Sequence, residues 1–234
     1  MTRQVVLDTE TTGLDAKLGD RIIEIGCIEI LSRSIGERHF QTYLNPERDV
    51  DIGATRVHGL TREDLAAKPR FAEVAAQFLD FVRGAELIIH NADFDVEFLD
   101  AELEMAGLEK LSSYTESIVD TLALARELHP GRKNSLDALC ERYFINNSGR
   151  TLHGALLDAR LLAECYLAMT RGQESLVMEL ETPADAAAAL AALQVDVTNL
   201  IIVPALPEEI ALHEKYLDGL EKEAKDGVVW RRAA

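Results

Sequence analysis

The most informative stretch of this chain is Val5-Val6-Leu7-Asp8-Thr9-Glu10-Thr11-Thr12-Gly13. Its first three residues are apolar and two are β-branched, which predicts a short buried strand. Residues two apart in an extended chain share a face, so the Asp8 and Glu10 carboxylates point to one place. Like charges about 4 Å apart repel by about 4 kcal/mol, so a cation or proton is needed between them. Oxygen ligands favour Mg²⁺ or Mn²⁺. For this pair alone, two solvated acids at a strand end are an equally good interpretation.

Composition limits the class of protein. The chain has 234 residues, of which 47% are hydrophobic, enough for one domain with a core and an appendage. No run of 18 apolar residues occurs, and the strand begins too early to leave room for a signal peptide. We therefore expect a cytoplasmic protein in which Cys27, Cys140 and Cys165 are buried free thiols.

The formal net charge is −17. Phosphate binding normally depends on Lys and Arg, so this charge argues against a protein that attracts nucleic acid by its own long-range field. A nucleic-acid substrate would require metal ions that offset the charge locally, or a partner that delivers the strand.

The order of predicted elements indicates a mixed α/β sheet. Three strands with short connections begin the chain and predict an antiparallel meander. The fourth strand follows a helix, so it lies parallel to the first, and the ends of these two strands meet. The predicted strands are 5–8, 21–30, 38–44, 85–90 and 117–120, and the main predicted helices are 71–82, 94–106, 121–129, 135–143 and 155–170.

Three further side chains are candidates for the same site. Asp95 lies near the start of the helix after the fourth strand, so it should face the first pair. His153 and Asp158 are five apart, and on an ideal helix their side chains would diverge by roughly 140°. They converge only if His153 lies in the loop before the helix. Each feature alone has a structural explanation, since acids near helix N-termini favour the helix dipole.

Taken together, Asp-x-Glu, Asn-Ala-x-Phe-Asp and His-x4-Asp resemble the DEDD exonuclease superfamily in order and spacing, in the branch with a catalytic histidine. The resemblance implies a ribonuclease H-like fold with five strands. It also implies metal ligands at Asp8, Glu10, Asp95 and Asp158, a general base at His153, and two Mg²⁺ or Mn²⁺ ions. Asp93 stands where the superfamily usually has a small residue, and the Phe94-Asp95 pair favours Asp95 as the ligand.

A closer resemblance covers about residues 3–172. It is carried by the motifs Asp8 to Gly13, Ile22-Ile23-Glu24-Ile25-Gly26, Val57-His58-Gly59-Leu60, Asn134 to Cys140 and Thr151 to Ala159. They resemble the epsilon subunits, the proofreading 3′→5′ exonucleases of bacterial DNA polymerase III. The resemblance implies removal of mispaired 3′ nucleotides from DNA as 5′-mononucleotides. It also implies the polymerase alpha subunit and a small theta-like subunit as partners.

Three residues are candidate contacts to the terminal nucleotide. Thr11, His58 and Asn91 each follow a strand or occupy a turn, and turn or cap chemistry explains each about as well. The resemblance favours substrate contact. The predicted substrate-binding set is Asp8, Glu10, Thr11, His58, Asn91 and Asp158.

The composition changes near residue 181. We predict an exonuclease domain over 1–180, an alanine-rich linker over 181–207 and a polymerase-binding segment over 208–234 with the only Trp, Trp230. Ile210, Leu217, Leu220 and Trp230 are the predicted anchors. Gln173 to Met178 resembles bacterial clamp-binding peptides, although a frayed helix end explains it equally well.

Two other functions compete with proofreading. An RNA-trimming exonuclease would use the same site, because the metal ions contact only phosphates; the extra tail favours the DNA enzyme. A non-catalytic polymerase scaffold would not need four acids and a histidine in this pattern.

Overall fold

The computed structural model describes residues 3–150, 152–171 and 204–223. The chain divides into one unit of residues 1–176 and a second of residues 177–234. The predicted clamp-binding segment and most of the predicted linker lie outside the described residues. The proposed domain boundary at residue 180 therefore stays a prediction.

One mixed sheet forms the centre of the first unit. Its strands are β1 (Gln4–Thr11), β2 (Ile22–Leu31), β3 (Ser34–Tyr43), β4 (Glu86–Ile89) and β5 (Ser117–Asp120). Their order is β3-β2-β1-β4-β5, with β1, β2 and β3 antiparallel and β1, β4 and β5 parallel. This confirms the predicted meander and the parallel pairing of the first and fourth strands.

The helices of this unit connect and cover the strands. They are α1 (Ile52–His58), α2 (Arg62–Leu65), α3 (Phe71–Val82), α4 (Ala92–Met105), α5 (Thr121–Leu128), α6 (Leu136–Tyr143) and α7 (Ala155–Met169). The structure adds α1, which the sequence pattern did not indicate. It also begins α4 at Ala92, two residues before the predicted start, with Asn91 as a left-handed N-cap.

Helices pack on both faces of the sheet, and each face has its own core. On one face, Leu7 packs in a cluster with Phe78 of α3 and Leu99 of α4. On the other face, Val6 packs with Ile88 of β4 and Leu162 of α7. A strand buried on both sides is apolar in successive residues, which explains the run that begins β1. All three cysteines are free and buried, as predicted.

The start of α7 lies directly on β2. A Cβ atom at Gly26 would come within 2.2 Å of the Ala155 carbonyl carbon and the Leu156 nitrogen. Only glycine permits this approach. Because Gly26 pairs with Asp8 across the sheet, the contact brings the first turn of α7 over the end of β1.

The described part of the second unit is one helix, α8 (Pro207–Glu223). It agrees with the predicted helical period. Ile210, Leu212 and Tyr216 are exposed on it, whereas Leu217 is buried. Trp230 lies outside the described residues.

None of the described helices combines the length and the apolar character needed to cross a membrane.

Candidate active site

The first two acids lie where β1 extends past its parallel neighbour. Pairing between β1 and β4 ends at Val6 and Ile88, so the following residues of β1 border an open edge. Asp8 is half-buried and Glu10 is 8% exposed. Glu10 pairs across the sheet with Glu24, and the register shifts at the next residue.

Asp95 joins this pair from the first turn of α4. Its side chain is buried, and Oδ1 accepts hydrogen bonds from the Thr9 backbone N–H at 3.1 Å and the Thr9 hydroxyl at 2.7 Å. Asp93 is exposed and lines a different cavity, beside Lys17 and Arg21. The structure therefore places Asp95, and not Asp93, in the acidic cluster.

His153 and Asp158 approach from the start of α7. The helix begins at Ala155, so His153 lies in the preceding loop, as the five-residue spacing required. Its backbone N–H donates to the Val57 carbonyl at 3.0 Å, which links this loop to α1. His153 Nδ1 lies 3.3 Å from Asp158 Oδ2. Ligand atoms of Glu10, His153 and Asp158 all lie within 4.8 Å of one another.

Burial raises the pKa values of three of the acids, and repulsion between the acids adds to the effect. Burial, followed by the charges of Asp95 and Glu10, raises the pKa of Asp8 well above its usual range. Burial and the Asp158 charge raise the pKa of Glu10 to about 8. Burial raises the pKa of Asp95 to about 7, although the Thr9 hydrogen bonds oppose the shift. The site thus carries an excess of buried negative charge, which is the condition that divalent cations relieve.

Arg150 is a member of the site that the sequence did not reveal. Its guanidinium binds Asp158 Oδ1 and Oδ2, each at 2.5 Å, and Asp137 Oδ1 at 2.6 Å. Nη2 also lies 2.9 Å from His153 Nδ1. The Arg150 side chain is only 7% exposed. The available signal in the sequence was the closeness of Arg150 to His153.

Glu24 is a second residue whose role sequence reasoning missed. It is 2% exposed, and its Oε2 accepts the Ala155 backbone N–H at 3.1 Å while Oε1 accepts from the Gln41 amide at 2.8 Å. A carboxylate at a helix N-terminus satisfies a free N–H and favours the helix dipole. Glu24 thus fixes the helix that carries Asp158. An acid within the apolar run of β2 was the available signal.

The candidate nucleotide contacts lie in two places. Thr11 and His58 are buried, and the Thr11 hydroxyl donates to the Gly13 carbonyl at 2.6 Å. His58 Nδ1 accepts from the Leu60 N–H at 3.0 Å, and its Nε2 is buried without a hydrogen bond to the described residues. Burial lowers the pKa of His58, so the ring is neutral at neutral pH. Asn91 is exposed at the start of α4 and lines the cavity that contains the acids.

The acids open into a cavity of about 720 Å³. One wall holds the acids and His153. The other wall is formed by α5, the loop after it and the start of α6, and includes Arg126, Arg132 and Lys133. A cavity with convergent acids on one wall and cations on the other is suited to a charged, extended substrate.

Comparison with known proteins identifies the family. Residues 5–166 match the Exonuclease family. The chain is 48% identical over 240 residues to DNA polymerase III subunit epsilon of Escherichia coli K12, covering 99% of this chain and 98% of that protein.

The chain belongs to the epsilon-subunit family of bacterial DNA polymerase III.

The epsilon subunit of Rickettsia prowazekii is similarly related, at 44% identity over 220 residues, covering 92% of this chain and 96% of that protein. Among solved structures, exonuclease X in complex with 5′ overhanging duplex DNA has a TM-score of 0.57 and 25% identity, and the match covers 73% of this chain and 92% of that one. These likenesses confirm the predicted epsilon-type exonuclease and its sheet architecture. Exonucleases of this family depend on divalent metal ions, and this chain has an acidic cluster in its cavity.

Proposed function

We propose that this chain removes mispaired 3′-terminal nucleotides from DNA as 5′-mononucleotides, acting as the proofreading subunit of a replicative polymerase. The observation that carries the proposal is the convergence of Glu10, His153 and Asp158 within 4.8 Å, beside Asp8 and Asp95. These groups come from β1, α4 and the start of α7. The near full-length relationship to the epsilon subunits supports the same function.

The acids fit a site for two divalent cations, either Mg²⁺ or Mn²⁺. Asp8, Glu10, Asp95 and Asp158 offer only oxygen atoms, the ligands that hard cations prefer. Burial raises the pKa values of Asp8, Glu10 and Asp95, and repulsion from neighbouring acids adds to the shift of Asp8 and Glu10. When bound, the two cations neutralise the oxygens of a phosphodiester and lower the pKa of the attacking water.

His153 is the proposed general base. Its ring is 43% exposed, so water and substrate reach it. Asp158 Oδ2, at 3.3 Å from Nδ1, orients the ring and leaves Nε2 to take a proton from water.

Thr11 and His58 are proposed to hold the terminal nucleotide, because the unpartnered Nε2 of His58 offers a polar contact beside the end of β1. Asn91 is proposed to contact the strand from the cavity side.

The tail provides the proposed contact to the polymerase alpha subunit. With a net charge of −17, the chain gains little from phosphate attraction outside the site. Tethering by a flexible linker raises the effective concentration at the primer end to about millimolar. Leu212 and Tyr216, four residues apart on one face of α8, are exposed and available for such a contact, and Ile210 is exposed on another face. A clamp contact through Gln173–Met178 and a small theta-like partner remain further proposals.

The test is digestion of a primer with a mispaired 3′ end by the purified full chain and Mg²⁺, with product identified by mass spectrometry. We expect 5′-mononucleotides released from the 3′ end, and slower release from an RNA of the same sequence. Faster trimming of RNA would favour the RNA-processing alternative, and absence of nuclease activity would favour the scaffold.

A further inference from the structure

Three cations on the far wall of the cavity have no ionic partner among the described residues. Arg126 lies in the last turn of α5, and Arg132 and Lys133 lie in the loop between α5 and α6. All three are exposed and line the cavity that contains the acids. Within the described residues, none of these three side chains forms a salt bridge or hydrogen bond. We call these three residues the basic wall.

Acidic residues outnumber Lys and Arg in this chain by 41 to 24. Arg21 pairs with Glu102 and Arg3 pairs with Glu29, whereas among the described residues no acid pairs with the three cations of the basic wall. Arg126 has a local explanation, since a cation favours the C-terminus of a helix. Arg132 and Lys133 follow the helix and have no such explanation.

The loop that carries the basic wall is held in place by its own hydrogen bonds. The Asn134 side chain is buried and donates to the His129 carbonyl at 3.4 Å. Arg142 of α6 donates to Asn134 Oδ1 at 3.0 Å and to the Lys133 carbonyl at 2.7 Å. The backbone beneath the cations is therefore fixed, so an anion that binds them needs to order only their side chains.

The wall lies on one side of the acids, and the proposed terminal-nucleotide contacts lie on the other. Thr11 and His58 do not line the cavity. His58 is the last residue of α1 and Thr11 is the last residue of β1. The Asp51 N–H donates to the Thr12 carbonyl at 2.9 Å and joins the start of α1 to the end of β1. The basic wall follows β5, the last strand at the opposite edge of the sheet from β3. The acids at the end of β1 lie between these regions.

We infer that the basic wall binds the phosphates of the nucleotides upstream of the scissile bond and so fixes the direction in which a single strand enters. This inference rests on the proposed function. The terminal nucleotide then lies toward His58, the scissile phosphate at the acids, and the next phosphates against Arg132 and Lys133. Cations that neutralise phosphates release counterions, so binding weakens as salt is added. For single strands, each such contact adds about −0.7 to the slope of log binding constant against log salt concentration.

The test compares two double variants of the full chain. Arg132→Gln/Lys133→Gln removes two charges from the wall. Arg83→Gln/Arg171→Gln removes two charges just before β4 and just after α7, at the ends of these elements away from the acids. Both pairs are on the surface, and melting temperatures check that all variants fold. Each protein is assayed on a single-stranded oligonucleotide over a range of NaCl concentrations, and on the p-nitrophenyl ester of thymidine 5′-monophosphate.

We expect the wall variant to lower kcat/KM for the oligonucleotide by about 10-fold or more, mainly through KM, and to reduce the salt slope by about 1.4. Hydrolysis of the ester, which has no upstream phosphate, should stay within about twofold of wild type. The control variant should match wild type on both substrates.

Equal oligonucleotide kinetics and salt slopes in the two variants would overturn the inference while leaving the proposed function intact. An equal loss on ester and oligonucleotide would also overturn it, since the cations would then act at the reacting centre. If wild type hydrolysed neither substrate, the proposed function would be wrong, and the role inferred for the basic wall would be wrong as well.

Discussion

Arg150 binds Asp158 through two hydrogen bonds of 2.5 Å, one to each carboxylate oxygen. The pair is almost fully buried, with side chains 7% and 4% exposed. Both oxygens of a proposed metal ligand are thus already occupied by a protein cation. Arg150 also lies 2.9 Å from His153 Nδ1, and a guanidinium only donates, so this contact favours the tautomer protonated at Nε2. A base at Nε2 requires the other tautomer, with Nδ1 donating to Asp158.

The first prediction follows because Arg150 and a metal ion compete for the Asp158 carboxylate. Arg150→Gln should bind Mn²⁺ more tightly, by about 3- to 10-fold in calorimetry, because the ion no longer displaces a guanidinium. The metal-free variant should melt at a lower temperature than wild type, since a buried carboxylate has lost its partner. Arg160→Gln is the matched control, because its pair with Glu164 on the same helix is exposed and long at 4.0 Å. Weaker Mn²⁺ binding by Arg150→Gln would show that the arginine helps to assemble the metal site.

The second prediction concerns the general base. His153→Ala should lower turnover by about 10²–10⁴-fold and should leave Mn²⁺ affinity within a few-fold of wild type. The ring is partly exposed and its backbone N–H bond to Val57 does not need the side chain, so the fold should persist. Near-normal turnover of this variant across pH 6–9 would remove His153 from the mechanism.

The third prediction concerns stability and pH. The folded pKa of Glu10 is about 8 and that of Asp95 is about 7, both above their unfolded values. The folded chain therefore holds more protons than the unfolded chain, and this contribution to the free energy of unfolding is lost as pH rises through 7 and 8. Burial lowers the pKa values of His58, His90 and His129, so these groups act in the opposite direction, and their contribution is complete once pH exceeds the ordinary histidine pKa of about 6.5 by one to two units.

Without divalent metal, the melting temperature should fall by about 4 °C or more between pH 6.5 and 9. Glu10→Gln should reduce this fall. Saturating Mn²⁺ should abolish it in wild type, because the bound cations supply positive charge beside the acids. A melting temperature that stays flat or rises over this interval in metal-free wild type would contradict the electrostatic account of the cluster.

The fourth prediction concerns the tail. A chain ending at Glu181 should retain nuclease activity on short single strands, because every candidate site residue lies in residues 8–158. It should no longer co-purify with the polymerase catalytic subunit. A triple Ala substitution of Ile210, Leu212 and Tyr216 tests the same contact without truncation. Wild-type affinity of the truncated chain for the polymerase would place the anchor in the nuclease domain.

The sequence predicted most of the fold because its signals were local. Apolar runs located the strands, and the five-residue spacing of His153 and Asp158 correctly placed the histidine in a loop before α7. The choice between Asp93 and Asp95 depended on where α4 begins. In a helix, residues two apart point about 200° from each other, so only one acid can face β1. Once α4 starts at Ala92, that acid is Asp95.

The residues that sequence reasoning missed act through distant partners. Glu24 holds Ala155, which is 131 residues away, and Arg150 reaches Asp137 and Asp158 from a loop with no pattern of its own. The sequence also does not show that Arg132 and Lys133 form no ion pair with the described residues, because this depends on which acids the fold brings near them. The net charge of −17 argued against a basic surface, but the structure brings Arg126, Arg132 and Lys133 together at one cavity.

The central claim is that the acids converging on β1 perform 3′-end hydrolysis, and one matched pair of variants tests it most directly. Asp95→Asn and Asp93→Asn make the same change two residues apart on α4, one buried in the cluster and the other exposed outside it. The measurement is single-turnover release of the terminal nucleotide from a 3′-mispaired primer with Mg²⁺. The account predicts that Asp93→Asn releases it at close to the wild-type rate and that Asp95→Asn is slower by about 10³-fold or more. Wild-type release by Asp95→Asn, or an equal loss in both variants, would contradict it.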